Sequence, residues 1–283
     1  MKLKSRILNL GCTFLAVCLF LPTGASAVVI VSDAGADVAA ITDTVDAFRA
    51  ALGDPNNGNN PGPLATGRRE INWDGGGPPV IDGTPPVTPF VVFRNTRGAT
   101  FTTPGTGLTQ AAATGGLLSL DLINPQYAQL FAPFSLNRLF TPIGSNVTEG
   151  FFAIPNSGGA APAGVSGFGV VFSDVDLAGT SIGLINHRGE SLGSFSVPTY
   201  PGNQTFSFLG LLAEPGDGLI AGVTITTGTT PLGPSEAPGI DLVVMDDFLF
   251  GEPRLIPEPS TSVLLSSALL VMAALAWRRS RRG

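Results

Sequence analysis

The sequence predicts a mainly β protein: a jelly-roll-like β-sandwich with a short N-terminal helix, flanked at each end by an apolar segment with a cationic border. Three observations carry this expectation. Short runs rich in Val, Ile, Phe and Thr recur from residue 67 onward, each cut by Gly, Pro, Asn or Asp. Helical spacing of apolar residues is clear only once, near the N-terminus. The 283 residues include 37 Gly and 24 Pro, a content that interrupts long helices and suits a fold built on turns.

Residues 1–27 read as a secretory signal peptide. Lys2, Lys4 and Arg6 make a basic start, Ile7–Leu21 an apolar core, and Ala25-Ser26-Ala27 a small-residue cleavage site with Ala25 and Ala27 at its recognition positions. Cys12 and Cys18 fall inside this segment. Val17 before Cys18 is too bulky, and Asn9 ahead of Cys12 too polar, for a lipid-attachment signal.

Residues 28–66 hold the predicted helix and a loop. Val38, Ile41, Val45, Phe48 and Leu52 recur at spacings of three and four, with Asp37 placed as N-cap and Gly53 as stop. The run Asp54-Pro55-Asn56-Asn57-Gly58-Asn59-Asn60-Pro61-Gly62-Pro63 that follows consists of turn formers.

Residues 67–254 are the expected sandwich. The clearest strands are Phe90–Phe93, Phe151–Ile154, Gly167–Phe172, Ser181–Ile185, Ser194–Val197, Thr205–Leu211, Leu219–Thr226 and Asp241–Phe250, with a trace of helical spacing only near Gln126–Phe131. The stretch Asp74–Thr88, with three consecutive glycines and repeated Pro-Pro, reads as a surface loop. Asn186-His187-Arg188-Gly189 reads as a hairpin turn.

Residues 255–283 complete the chain. Pro259–Trp277 is a run of 19 residues without charge. At ~1.5 Å per helical residue it spans roughly 28 Å, about the thickness of a bilayer's hydrocarbon core. Arg278, Arg279, Arg281 and Arg282 behind it are held on the cytoplasmic side, so the bulk of the chain lies outside. The triplet Pro257-Glu258-Pro259, then a spanning helix, then an arginine-rich end resembles the PEP-CTERM sorting signal of Gram-negative bacteria that make exopolysaccharide. That resemblance implies a temporary membrane anchor, removed by an exosortase-type processing enzyme, and delivery to the cell surface or extracellular matrix.

Four internal segments, Gly67–Gly75, Leu139–Thr148, Phe172–Gly183 and Val243–Pro253, resemble an uncharacterised family of secreted bacterial proteins that often carry this tail, a family without an assigned activity. The last of them is also similar to the final strand of jelly-roll domains of the MAM and carbohydrate-binding type, where an Asp-Asp pair occurs.

Between residues 28 and 256 there are eight arginines, no lysine and twenty acidic residues, a net charge of about −12. Such a polyanion is repelled by nucleic acid. No cysteine remains, which excludes a disulfide scaffold, a thiol nucleophile and a cysteine metal site. His187 is the only histidine, and no G-x-S-x-G elbow, phosphate loop or dinucleotide fingerprint occurs. The sequence therefore predicts no catalytic residues, and the expectation is a non-catalytic surface or matrix protein associated with exopolysaccharide. Two alternatives stand beside it. One is a polysaccharide hydrolase using two carboxylates from Glu70, Asp74, Asp246 and Asp247; the other is a structural scaffold without ligand. Trp73 either offers an exposed ring to a sugar or is buried in the core. Strand alternation in Val243–Phe250 puts Asp246 on one face and Asp247 on the other, so one carboxylate is expected among core residues. Either Ca²⁺ neutralises it, completed by Asp174 and Asp176, or each Asp caps a turn or accepts backbone N–H bonds.

Overall fold

The computed structural model describes residues 28–75 and 83–256. The expected signal peptide with Ala25 and Ala27, the glycine run at 76–77, and the sorting segment with Pro257, Glu258, Pro259 and the four terminal arginines lie outside the described residues. Among the described residues no helix is long and apolar enough to cross a membrane.

The described residues begin with β1 (Val28–Gly35), which precedes the predicted helix α1 (Val38–Leu52). Asp37 caps α1 through Oδ1, which accepts the Ala40 N–H at 3.0 Å. Gly53, at φ +102°, ends it, and its N–H bonds the Arg49 and Ala50 carbonyls. The strands that follow are β2 (Arg68–Ile71), β3 (Ala99–Thr102) and β4 (Gly107–Ala112); the short helix α2 (Tyr127–Leu130) comes next. Then come β5 (Arg138–Ile143), β6 (Val147–Ala153), β7 (Pro162–Gly164), β8 (Gly167–Ser173), β9 (Ser181–Asn186) and β10 (Ser191–Ser196). The described residues close with β11 (Phe206–Ala213), β12 (Ile220–Thr226), β13 (Val244–Gly251) and β14 (Arg254–Leu255).

Two antiparallel sheets form a sandwich. The first runs β1-β11-β8-β13-β5-β4, with β2 also on β13; the second runs β10-β9-β12-β6-β7-β14, with β3 also on β6. Eight strands make the framework: β5, β6, β8, β9, β10, β11, β12 and β13. Counted in chain order, one sheet reads first-eighth-third-sixth and the other second-seventh-fourth-fifth, which is the jelly-roll order. The chain passes repeatedly from one sheet to the other, so the interior is closed by contacts distant in sequence.

The interior is aromatic. Trp73, Phe90, Phe101, Phe140, Phe168 and Phe248 are all fully buried there. The outer face of the first sheet is covered too. Ile41, Val45, Phe48 and Leu52 of α1 pack on Val171, Phe206, Phe208 and Leu249. Phe48 sinks into a notch where Gly169 of β8 pairs with Gly210 of β11. A Cβ on Gly210 would lie 2.5 Å from its ring, and one on Gly169 2.6 Å. A second cover, containing Leu120, Tyr127, Leu130 and Phe131, packs on Leu139 and Val244.

Seven of the eight expected strands are present. Phe90–Phe93 is the exception: Phe90 makes a single bridge to Phe101, and the chain then turns, because the Phe93 carbonyl is taken by the N–H groups of Arg97 and Gly98. β1 had no place among the sequence-predicted strands, yet it pairs along its whole length with β11, so the leading segment belongs to the first sheet.

Candidate functional site

The residues that carry chemistry gather in two acidic groups, one at a bulge within β13 and one at its start. The first is centred on Asp246 and Asp247. At this point β13 has two residues where β8 has one, since Met245 pairs with Phe172 and Phe248 with Val170. Its other edge changes neighbour at the same point, from β5 at Met245 to β2 at Phe248–Gly251. The bulge corrects the expected alternation. Met245, Phe248 and Phe250 face the interior, whereas Val244 and Leu249 belong to the covers on the outer face. Both aspartates lie on that covered outer side, and neither stands among the interior rings.

Their partners are protein groups. Asp246 Oδ2 accepts the backbone N–H of Phe134 at 2.6 Å and of Ser135 at 3.3 Å. The Ser135 hydroxyl lies 2.7 Å from Asp247 Oδ1, 3.2 Å from Asp246 Oδ1 and 3.4 Å from Asp74 Oδ2. Arg49, in the last turn of α1, donates to Asp247 and to Glu70, both at 3.2 Å. Asp74 accepts the backbone N–H groups of Asn137 and Arg138 at 3.0 and 2.9 Å. Burial, then the neighbouring Asp247 charge, holds Asp246 well above the usual carboxylate range. Burial also raises Asp247, opposed by its bonds to Ser135 and Asp246 and by the Arg49 charge. Both carboxyls therefore hold a proton to higher pH than a free carboxyl does.

Glu70, Asp74, Asp246 and Asp247 are therefore brought together, as a carboxylate mechanism would need. Their oxygens, however, are committed to fixing the 134–138 segment and α1, and Asp246 and Asp247 are only 0% and 4% exposed. A glycosidic acid and its partner have to reach the substrate. Ser135, the hinge of this network, gave no signal in the sequence.

Trp73 is not an exposed sugar platform. It is fully buried, stacked on Phe140 at 3.7 Å with the rings 3° from parallel, and edge-on to Phe248 at 4.9 Å. Its Nε1–H donates to the Asp246 carbonyl at 2.7 Å. The ring fills the sandwich beside the bulge, which frees a carbonyl for it. His187 sits in the β9–β10 turn, half-buried, and its Nδ1 accepts the Leu219 N–H at 3.2 Å.

The second acidic group lies at the start of β13. β8 and β13 do adjoin, but they run antiparallel with Val244 opposite Ser173, so Asp174 falls three residues beyond the bulge's partner Val171. At ~3.3 Å per strand residue that is on the order of 10 Å along the sheet. Asp174 and Asp176 do not meet Asp246 and Asp247. Their acidic neighbours are Asp241 and Glu236, neither of them marked out by sequence spacing. Asp241 Oδ1 accepts the Asp176 N–H at 3.1 Å, and Asp176 Oδ1 accepts the Gly202 N–H at 2.8 Å. Asp174, at φ +72°, is fully buried, and neither of its carboxylate oxygens has a hydrogen-bond partner. The nearby Gln204 N–H is committed to the Leu130 carbonyl at 2.8 Å. Asp241 Oδ2 and Glu236 Oε1 are buried without a partner as well. Burial first, then the charges of Glu236, Asp176 and Asp241, push Asp174 up to about 9. Burial pushes Asp241 up to about 6 and also raises Glu236.

Among the described residues no helix covers the outer face of the second sheet. Register sets its side chains in rows across β10, β9, β12, β6 and β3: Ser194, Gly183, Thr224, Glu149 and Thr102 in one, Ile185, Gly222, Phe151 and Thr100 in the next. A groove of about 350 Å³ runs over this face, lined by Ser181, Gly183, Ser194, Thr224 and Thr226 among others. Phe151 is 49% exposed beside it. The exposed aromatic ring of the sandwich face is Phe151 and not Trp73. The alternation of Val147–Phe152, with Thr148, Gly150 and Phe152 inward, was the signal for it.

Comparison with known proteins adds one match. Residues 255–282 fit the PEP-CTERM protein-sorting motif. No curated protein and no solved structure matches the chain.

Proposed function

We propose that the chain, whose C-terminal sorting motif implies a secreted, exosortase-processed protein, serves as a non-catalytic component of the cell surface or extracellular matrix, associated with exopolysaccharide. The observation that carries this is the motif itself at residues 255–282. The export signal at 1–27 accords with it, because a sorting helix oriented by Arg278–Arg282 needs the rest of the chain outside.

Two features of the sandwich support the finer reading. The candidate acid pair is enclosed and hydrogen-bonded to structural groups, which suits a scaffold better than a hydrolase. The uncovered face of the second sheet offers hydroxyl groups from Ser and Thr rows next to the Phe151 ring, a surface able to hydrogen-bond a saccharide and stack against its apolar face.

The test is a binding measurement with the producer's own exopolysaccharide and the exported protein, alongside a reducing-end assay for cleavage. The expected result is retention on the polysaccharide, weakened by Phe151→Ala, with no new reducing ends. Cleavage abolished by Asp247→Asn would instead establish the hydrolase. Absence of binding to any polysaccharide of the producer would leave the sandwich a scaffold and overturn the association.

A further inference from the structure

Glycine weakens a strand, because it gives up the most conformational freedom on folding and brings no side chain to pack, so a glycine inside a strand needs a cause. Most in this sandwich have one. Apart from three on the second sheet, every glycine inside a described strand would carry a Cβ to 2.3–2.7 Å from another atom. Of those three, Gly193 stands at φ +116°, which accounts for it. Gly183 and Gly222 have neither cause. Their backbones are of the kind any residue adopts, and a Cβ would lie no closer than 3.7 Å and 3.8 Å to its neighbours, ordinary contact distances. Gly222 lies beside the Phe151 ring, whose Cδ1 is 3.9 Å from that Cβ position. Gly183 has only the flanking strands next to it, its nearest neighbours being atoms of Thr224 and Gly193. Ile182 and Leu184 on either side of it in β9 face the core, so Gly183 faces outward, into the groove that it lines. A mid-strand glycine that neither conformation nor packing requires marks a place where something else approaches the backbone closely.

We infer that the trough over Gly183 seats an uncharged polysaccharide, and that the bare floor at this position is what admits the sugar chain. The inference rests on the polysaccharide association proposed above and adds to it the class of ligand and the residue that decides entry. The rim is made of hydroxyls. Those of Ser181, Ser194, Thr224 and Thr226 make no hydrogen bond to protein among the described residues, and each can both donate to and accept from a sugar hydroxyl. Charge then selects the polymer. No arginine stands in the rows of this face, residues 28–256 contain no lysine, and Arg188 in the adjoining turn is paired with Glu190 at 2.8 Å. The one charged residue in the rows is Glu149, whose Oε2 accepts the Thr102 hydroxyl at 3.1 Å. A polymer bearing carboxylates or sulfates would meet that negative charge and no cation, on a domain with a net charge of about −12. A second copy of the chain would bring the same repulsion. An uncharged sugar chain meets none, and its C–H faces and hydroxyl edges match a glycine floor between hydroxyl rims with the Phe151 ring alongside. From Ser194 to Glu149 the row crosses three gaps between strands, about 14 Å at ~4.8 Å each, enough for a short run of sugar units.

The experiment is calorimetric titration of the exported protein with the producer's exopolysaccharide, separated by anion exchange into an uncharged and an acidic fraction. The parent should bind the uncharged fraction in preference to the acidic one, and to the same extent at low salt and at about 0.5 M NaCl, since no ion pair is involved. Gly183→Val places a branched side chain in the trough on a backbone that accepts it. It should keep or raise the thermal midpoint while weakening binding at least about tenfold, with Gly183→Ala between it and the parent. A glycine that served only the fold would do the reverse, lowering the midpoint and leaving binding by the folded protein unchanged, and that result would overturn the inference. Preference for the acidic fraction would overturn it too, as would self-association of the parent that Gly183→Val abolishes, which would put a second copy in the trough. Binding lost in Phe151→Ala and kept in Gly183→Val would uphold the association and strike the trough. No binding of either fraction would overturn both.

Discussion

Replacing Arg69 with methionine should destabilise the sandwich more than any surface change, because this arginine and Glu252 form its one fully buried ion pair among the described residues. Nε and Nη2 of Arg69 reach the two carboxylate oxygens at 2.8 Å each, and both side chains are completely enclosed. Nη1 donates to the carbonyls of Gly58, Asn60 and Thr96 at 2.9–3.0 Å. Glu252 also accepts the Asn57 amide at 2.8 Å and the Leu64 N–H at 3.1 Å. The pair thus binds the 57–64 loop and the 93–97 turn to the end of β13. Arg69→Met leaves a buried carboxylate with two of its four donors and three carbonyls without theirs. Removing one partner of such a pair costs about 3–5 kcal/mol. For a domain of this size each kcal/mol is worth about 2–4 °C, so the midpoint should fall by roughly 6–20 °C. The assay is thermal unfolding followed by circular dichroism on four proteins: parent, Arg69→Met, Glu252→Leu and the double variant. The double variant removes the stranded charge and should recover part of the loss, though not all, since the carbonyls stay uncapped. A fall under about 2 °C in Arg69→Met, the equivalent of ~1 kcal/mol, or a double variant as unstable as the sum of the singles, would refute the reasoning.

Three further outcomes are expected. Asp246 binds a proton in the folded state that an unfolded carboxyl, with its value near 3.9, releases; the stability it contributes is present below that value and is lost as pH rises toward the elevated folded one. Asp246→Asn keeps the acceptor for Phe134 and Ser135 and a donor toward Asp247, so its melting midpoint should match or exceed the parent's at pH 8 and lose that advantage near pH 4; an equal deficit at both would contradict it. Phe48→Ala empties the glycine notch under α1 and should cost about 3–5 kcal/mol in urea unfolding, while Gly210→Ala forces its Cβ into the ring and should cost about 1–3 kcal/mol. Combined, the two should cost less than their sum, and strict additivity would mean that the ring does not occupy the notch. Intact mass spectrometry of secreted material should find a species beginning near Val28 and ending near Pro257–Pro259, and Glu258→Ala should leave the protein in the membrane; recovery of the arginine tail on released protein would oppose processing at the sorting motif.

Some of this molecule is written locally and was legible. The helix α1 was marked by its apolar spacing and by a cap at Asp37 and a stop at Gly53, because hydrogen bonds four residues apart make a helix a property of its own segment. The sorting motif is linear, since a processing enzyme reads an extended stretch and its neighbouring span. Strands such as β8, β11 and β12 were visible as apolar runs between turn formers. Phe90–Phe93 had the same composition and failed, because a strand needs a partner along its length and that stretch meets Phe101 at only one point.

What the tertiary structure decided are the relations that cross the chain. A one-residue bulge in β13 placed Asp246 and Asp247 on the same side, since an inserted residue shifts the period-two alternation on which the sequence expectation rested. β1 gained its role from β11, more than 170 residues away along the chain. Trp73 became core because the sandwich closed over it, and Phe151 became an exposed ring because no helix among the described residues covers the second sheet. The acids at the end of β8 became a group only when β8 and β13 were laid side by side, which brought Asp174 and Asp241 together from positions 67 residues apart. The sequence by itself determined the address and the kind of fold, which rest on local pattern and composition; packing alone decided which polar groups share a buried space, because that depends on register between distant strands.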